Sequence, residues 1–362
     1  MHAAMMPRIP GVQVRGPELF TLRNTVARLL GSKNSGFSGA QPISFTAKHI
    51  EELKSENYFV SEKADGIRCL MFTTVNSRGK GETYLIDRHN DYYFLNFGLP
   101  KDARSGAMHY DSLVDGELVL DTYDDGKQVL WFLLFDCMAV DGKGLVDRPY
   151  HKRLGHLREF ILNPFREAVR RDPSYASRQP FKMDLKKLQL AYHLKMVFEE
   201  MPTLKHKSDG IIFTSKDAAY GLGTCNKMLK WKPADENTVD FKVKVIGSHN
   251  KPTFVLQLWT GGYEYVDHGI LKLSPDEESW LRDPPDGRII ECRYDPTWPA
   301  QWRFHRFRDD KANANHINTY EKIMISIGDG VSKEELLNSA PEIRARYKDR
   351  EKRQQEQRNT PT

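Results

Sequence analysis

A chain of 362 residues is longer than one compact core of ~100–200 residues, so two folding units are expected. Hydrophobic residues at 39% and charged residues at 28% describe a globular chain, and no apolar run reaches the ~18 residues of a membrane helix. Four widely spaced cysteines without a CxxC pair argue against a disulfide framework or zinc knuckle, and the net charge of +5 permits an anionic partner without requiring one.

The first residues lack a charged n-region followed by an apolar segment, so no secretory leader is expected. From Tyr58 onward, short runs rich in β-branched and aromatic residues predict strands over Tyr58–Ser61, Arg68–Thr74, Glu82–Asp87, Leu113–Leu120, Val129–Asp136, Gly210–Thr214 and Met228–Trp231. Helices are predicted over Pro149–Leu162, with Asp147 as cap, and over Lys186–Met201. Past Pro233 come strands at Thr238–Ile246, Thr253–Thr260, Tyr263–Leu271 and Ile289–Tyr294. The SPDEESW string between them opens with a capping box at Ser274 and Glu277. That texture predicts a small OB-type barrel. Helices follow from His316 to Ile327 and from Ser332, where Glu335 completes a second box. The fold class is α+β: a domain of antiparallel and mixed sheets over 1–237, a barrel over 238–315, terminal helices packing on the body over 316–345, and a charged, disordered tail over 346–362.

The most informative string is Glu62-Lys63-Ala64-Asp65-Gly66-Ile67-Arg68, which sets a lysine at a strand end, a glycine in the turn and an arginine on the next strand. A lysine amine is a nucleophile once deprotonated. By chance KxDGxR arises in roughly one chain in several hundred of this length, and as an isolated string it reads equally as a hairpin with solvated charges. Five further strings follow in order. Asp115-Gly116-Glu117 begins an apolar strand, and Phe132–Asp136 is a buried strand with an aromatic near its end. Ser208-Asp209-Gly210-Ile211-Ile212-Phe213 repeats the acid–glycine–strand arrangement. Leu229-Lys230-Trp231-Lys232-Pro233 puts two lysines on one strand face, and Arg306-Phe307-Arg308-Asp309-Asp310-Lys311 gathers three cations and two acids. Singly, each has a plain structural reading as turn acid, core or solvated surface.

As an ordered set the six strings resemble the covalent nucleotidyltransferase superfamily of mRNA capping enzymes and polynucleotide ligases, over about Tyr58 to Lys311. SDGIIF with LKWKP, and Trp302 through Lys311, are similar to the capping guanylyltransferases. The resemblance implies that Lys63 attacks the α-phosphorus of GTP to form lysyl-GMP. It implies that Arg68, Arg88 and Glu117 hold the ribose, and that Phe135 and Ile212 sandwich the guanine. A lysine after Pro180-Phe181 would read the guanine O6; Lys186 and Lys187 both qualify, and spacing favours Lys186. Lys230 and Lys232 would contact the α-phosphate. Asp209 and Asp240 fall in a metal and phosphate network, with Glu117 and Asp209 as carboxylates for Mg²⁺ or Mn²⁺. Arg306, Asp310 and Lys311 would reach the β- and γ-phosphates on domain closure. Lys230, Lys232 and Arg68 are expected to flank Lys63 and push its pKa down.

The implied acceptor is a 5′-diphosphate RNA end. The stretch before Lys63 is too short for a fused triphosphatase, so a separate RNA 5′-triphosphatase subunit is expected, as in fungal-type enzymes. The phosphorylated tail of RNA polymerase II is a further implied partner, and the nucleus the implied location. Two alternatives stand against this reading: an ATP-dependent polynucleotide ligase, and an inert module that binds RNA or a polymerase tail. No GxxxxGK[ST] loop occurs, and Gly221–Asn226 reads as a turn.

Overall fold

The computed structural model describes residues 7–233, 237–248, 251–275, 277 and 286–359. The chain divides into two compact units: one from the residues up to Ser44, Glu51–Trp231 and the segment from Leu337, the other from Phe45–Ile50 and Lys232–Leu336. The crossing at Trp231 falls before the boundary drawn at 237.

The first unit is built on the strand Ile67–Val75, whose period of two feeds two cores. Cys69 and Met71 point into one with Leu85, Leu118, Phe132 and Leu134; Leu70 and Phe72 point into the other with Tyr84, Ile86 and Met138. A sheet buried on both faces reads as a continuous apolar run, which is how IRCLMF reads. Its neighbours are Gly81–Ile86 on one side and Ser112–Thr122 on the other, the latter pairing with Gln128–Val140, all antiparallel. Lys182–Leu185 adds a parallel edge to Gln128–Val140. A second sheet has the order Gln189–Leu190, Tyr58–Ala64, Ser208–Ser215, Thr224–Trp231, Gln41–Ser44.

Three expectations are corrected. The helix at 150 has Pro149, not Asp147, at its N-cap, with no side-chain cap. It runs on through a π-turn over Leu157–Leu162 into Asn163–Arg171. Pro164 offers no N–H to that ladder, and the wider turn lets Leu157, Ile161, Leu162 and Phe165 all reach the core. The helix expected over Lys186–Met201 begins only at Leu194, because sheet pairing captures the preceding residues; the Lys186 N–H donates to the Leu134 carbonyl at 2.7 Å. The charged stretch read as disordered is helical from Lys333 to Asn359. Tyr347 is buried against Tyr192 with ring centres 5.2 Å apart, and Arg350 donates to Asn57 Oδ1 at 2.9 Å and to the carbonyls of Lys54 and Glu56. Lys348 pairs with Glu351 one turn on. Composition predicts how a segment behaves alone, and this one is held by partners from 155 to 296 positions away.

The second unit is a five-stranded antiparallel sheet. Its strands are, in chain order, Thr238–Ser248, Lys251–Gly261, Glu264–Leu271, Ile289–Tyr294 and Trp302–Phe307, and they lie in the order 3-2-1-4-5, that of an OB-type barrel. Val239, Phe241, Val243, Leu256, Leu258, Ile290 and Trp302 fill it. The helix Ile317–Gly328 closes it with Ile317, Tyr320, Ile323 and Met324. Both capping boxes form: the Ser274 N–H donates to Glu277 at 2.7 Å, and the Ser332 N–H to Glu335 at 2.7 Å. The remainder of the SPDEESW helix lies outside the described residues.

Two buried ion pairs stand side by side in the first unit. Arg153 bonds Asp136 through Nε at 2.7 Å and Nη2 at 2.9 Å, and both side chains are almost wholly buried. Arg153→Ala would leave the Asp136 carboxylate without its partner, so urea denaturation is expected to show a loss of about 3–5 kcal/mol. Lys205→Ala, at an exposed pair, is expected to stay within about 0.5 kcal/mol.

Candidate active site

Lys63 is the penultimate residue of the Tyr58–Ala64 strand, followed by the Asp65-Gly66 turn into Ile67–Val75. The turn passes so close to the neighbouring strand that a Cβ on Gly66 would lie 2.2 Å from the Leu118 carbonyl oxygen and 3.0 Å from Glu117 Cγ. Glycine is what allows the lysine turn and the Glu117 strand to meet. Gly116 does the same on the adjacent strand, where a Cβ would stand 2.7 Å from the Phe132 ring.

On its other side the lysine strand pairs with Ser208–Ser215. The register is Lys63 opposite Gly210 and Ser61 opposite Ile212, with a bulge that leaves Asp209 out of the ladder. Ile212 in turn faces Lys230. Alternation then puts Lys63, Ile212 and Lys230 on one face of the sheet. The bulged Asp209 reaches back to Lys63, whose Nζ donates to Oδ1 at 2.7 Å; the two side chains are 26% and 21% exposed. The amine is therefore held, but open to a reactant.

Arg68 lies directly across from Glu117 in the adjoining sheet. It does not hang free toward a ligand. Its guanidinium bonds Asp115 through Nε at 3.0 Å and Nη2 at 2.5 Å, donates to the Ala40 carbonyl, and sits 5.5 Å from the centre of the Phe135 ring. Its expected place as a cation flanking Lys63 is corrected accordingly: Asp115 takes its charge. Glu117 has the opposite character. Burial raises its carboxyl above the ordinary range, against the pull of Lys186, Lys63, Arg68 and Arg88, which all act on it. That convergence places the exposed Arg88 near the site as well.

Phe135 and Ile212 are half-buried, each on an interior strand of its own sheet. The two candidate lysines after Phe181 are separated cleanly. Lys187 is 71% exposed and pairs with Glu200, whereas Lys186 is 6% exposed with its Nζ 3.2 Å from Glu62 Oε1. Lys230 is the penultimate residue of the strand Thr224–Trp231, and Lys232 follows just beyond it.

In the barrel unit, Asp240 is buried and is held by Arg308 at 3.1 Å and by Lys311. Arg306 donates to Glu291 at 2.6 Å. Asp310 pairs with Arg308 at 2.8 Å, which lowers its carboxyl to about 2. Four of the expected residues thus form one charge network around Arg308, which links Asp240 to Asp310 and which reading the sequence left without a role. Its alternation with Arg306 on the same strand end was the available signal. Glu62, His206 and Tyr220 were also missed; nothing in their local sequence marks them, because their partners come from remote strands.

The donor set also bears on a metal. Among the described residues no three His, Cys, Asp or Glu side chains gather as a cage. Glu117 and Asp209 offer one carboxylate each, which suits an ion that arrives on phosphates and keeps most of its ligands from them.

Comparison with known proteins agrees with this layout. The model of the mRNA capping enzyme catalytic domain matches residues 5–234, and that of the mRNA capping enzyme C-terminal domain matches 236–337. Together they span most of the chain, and it belongs to the mRNA capping enzyme family. The mRNA-capping enzyme subunit alpha of Schizosaccharomyces pombe is 39% identical, covering 95% of this chain and 90% of that one; the Yarrowia lipolytica protein of the same name is 40% identical, covering 97% and 94%. The mRNA-capping enzyme of Danio rerio is 30% identical over 91% of this chain but only 55% of its own length. A solved mycobacterial DNA ligase D matches at a TM-score of 0.41 and 15% identity, over 76% of this chain and 95% of that one. Likeness at that level speaks neither for nor against a ligase. No helix among the described residues is long and apolar enough to cross a membrane.

His206 gives the site a pH signature. Burial alone would lower its imidazole, but the charges of Glu62 and Asp121 and the hydrogen bond to Asp121 prevail and raise it above the ordinary 6.5. A raised folded value means that the pairing stabilises fully below the unfolded value and is lost as pH rises through the folded one. Thermal melting should therefore show the gap between the unmodified chain and His206→Gln widest near about pH 6 and narrowing toward about pH 9.

Proposed function

We propose that this capping enzyme is an mRNA guanylyltransferase that works through a covalent intermediate on Lys63, with GTP as its substrate. The observation that carries the reading is the Lys63 amine at its strand end. Asp209 clasps it, Lys230 shares its sheet face, and Gly66 brings the Glu117 strand alongside.

The Lys63 nitrogen attacks the α-phosphorus, an N–P bond forms, and the bond to the β-phosphate oxygen breaks to release pyrophosphate. Before attack the ammonium must shed a proton, and Asp209, already bonded to it, is the acceptor at hand. In the second step a terminal oxygen of a 5′-diphosphate RNA attacks the same phosphorus, the N–P bond breaks, and GpppRNA leaves with the amine restored. Most of the barrier reduction comes from positioning and charge neutralisation. Glu117 and Asp209 would share a Mg²⁺ or Mn²⁺ ion with the triphosphate, which supplies positive charge against the phosphates. Lys230 and Lys232 take the α-phosphate, Phe135 and Ile212 the guanine faces, and Arg88 with Glu117 the ribose. Arg68 joins the ribose only by giving up some of its hold on Asp115. Arg306, Asp310 and Lys311 serve the β- and γ-phosphates, which requires Arg306 and Lys311 to exchange Glu291 and Asp240 for phosphate oxygens.

The relatives named as alpha subunits support a partner subunit, which we assign as a separate RNA 5′-triphosphatase. The phosphorylated tail of RNA polymerase II as recruiter, and the nucleus as location, complete the reading.

The test is label transfer to the purified chain from α-phosphate-labelled GTP, and separately ATP, with Mg²⁺ or Mn²⁺. We expect an acid-labile adduct from GTP, lost by at least about 1,000-fold in Lys63→Ala because no other group supplies the nucleophile. The labelled chain should pass its label to 5′-diphosphate RNA. Labelling by ATP instead would make the chain a ligase, and none from either would leave a binding module.

A further inference from the structure

Lys186 does not stand by itself. A run of alternating charge leads to it: Asp121 Oδ1 lies 2.7 Å from His206 Nδ1, His206 Nε2 lies 3.6 Å from Glu62 Oε1, and that same Oε1 lies 3.2 Å from Lys186 Nζ. Lys186, Glu62 and His206 are all nine-tenths buried or more. His206 Nε2 has no hydrogen-bond partner, so Glu62 is the only group within ion-pair reach of it among the described residues. These residues border a cavity of about 190 Å³ whose other wall includes Trp131 and Leu133. Trp131 and Leu133 alternate along the Gln128–Val140 strand and so share one of its faces, and the Phe135 ring lies 5.5 Å from the guanidinium of Arg68, a residue that stands opposite Glu117 in the ladder and through it in line with Leu133 on that face. The cavity, the lysine head and the ring of Phe135 therefore lie on the same side of that sheet.

We propose that Glu62, backed by His206 and Asp121, is the positioning residue for Lys186, and that it thereby sets the chain's preference for a 6-oxopurine. The inference rests on the reading that Lys186 meets the guanine O6. An ammonium on a four-carbon stem has many rotamers, and burying it without a counter-charge is costly. Glu62 removes both problems by pairing with the ammonium at 3.2 Å, which leaves N–H groups free to donate to a keto oxygen. His206 between two carboxylates keeps Glu62 charged and turned toward Lys186. Burial raises the Glu62 carboxyl, but Lys186 and His206 more than offset this and hold it below the usual range. Glu62 precedes the nucleophile in sequence, yet strand alternation turns it to the opposite face from Lys63. Its effect should fall on base choice and not on the reacting amine.

The experiment compares GTP with 2-aminopurine riboside triphosphate, which lacks the 6-oxygen, as donors for the Lys63 adduct in the full chain. The unmodified chain should prefer GTP by about 10-fold or more, the scale of a hydrogen bond to a charged group. In Glu62→Gln that preference should drop below about 3-fold, through a higher KM for GTP at nearly unchanged maximal adduct yield, and Glu62→Asp should restore some of it. A purely structural role would lower both donors alike. His206→Gln leaves Glu62 and Lys186 in place, and should reduce the preference less, by about 2- to 3-fold, should Glu62→Gln fail to fold. Full preference retained in Glu62→Gln, or in His206→Gln if that is the folded variant, overturns the proposal. An adduct that forms without base preference in the unmodified chain removes the role of Lys186, and this inference with it, but leaves nucleotidyl transfer standing. No adduct at all removes the functional reading itself.

Discussion

Asp115 and Asp136 face each other directly across two paired strands, both completely out of solvent. Two carboxylates so placed repel strongly in a medium that screens little, and the arrangement persists because each has its own arginine. Arg68 neutralises Asp115 and Arg153 neutralises Asp136, while the Tyr220 hydroxyl donates to Asp115 at 2.5 Å. Arg153 also lies over the rings of Tyr150 and Tyr220. Neither pair can shift without stranding a charge. The register of Ser112–Thr122 against Gln128–Val140 is fixed there, and with it the positions of Glu117 and Phe135 on those same strands. The irregularity between Asp115 and Gly116 falls at this point, where the ladder must accommodate both pairs.

A site assembled this way divides its labour between residues that meet a reactant and residues that hold them. Lys63, Glu117, Ile212 and Phe135 keep some exposure; Asp115 and Glu62 keep almost none. The barrel repeats the pattern. Asp240 is buried under Arg308 and Lys311, so its charge is internal, while Arg306 and Asp310 remain at the surface. Paired charges of this kind hold one another in place within each unit.

The sequence made legible those regions whose signal is local. IRCLMF and the SDGIIF string announce strands by composition, the two capping boxes announce helix starts, and the spacing of Lys63, Gly66 and Arg68 marks a turn between strands. The strand Ile289–Tyr294 was placed to the residue. What escaped depends on distant partners. Gln41–Ser44 is a strand only because Thr224–Trp231 lies beside it, and Lys182–Leu185 only because Gln128–Val140 does. The helix Gly16–Leu29 lacks a side-chain cap, and Pro17 and Glu18 in its first turn were passed over as start signals. For the site, residue types at fixed spacing pointed to Lys63, Glu117 and Asp209 and favoured Lys186 over Lys187, whose contrast in burial no spacing could show. That Arg68 spends its charge on Asp115 is a fact of three dimensions which no spacing rule contains.

The last helix has a bearing on how the chain is handled. Arg350 places a guanidinium on the carbonyls of Lys54 and Glu56, where the segment after Lys48–Ser55 turns toward the lysine strand. Those oxygens sit at the negative pole of a short helix, and the cation answers both their unmet bonds and that pole. Trimming the terminus at the point where its composition turns uniformly charged would thus reach back to the root of the Lys63 strand. A protein shortened for convenience there would lose a clamp rather than a loose end.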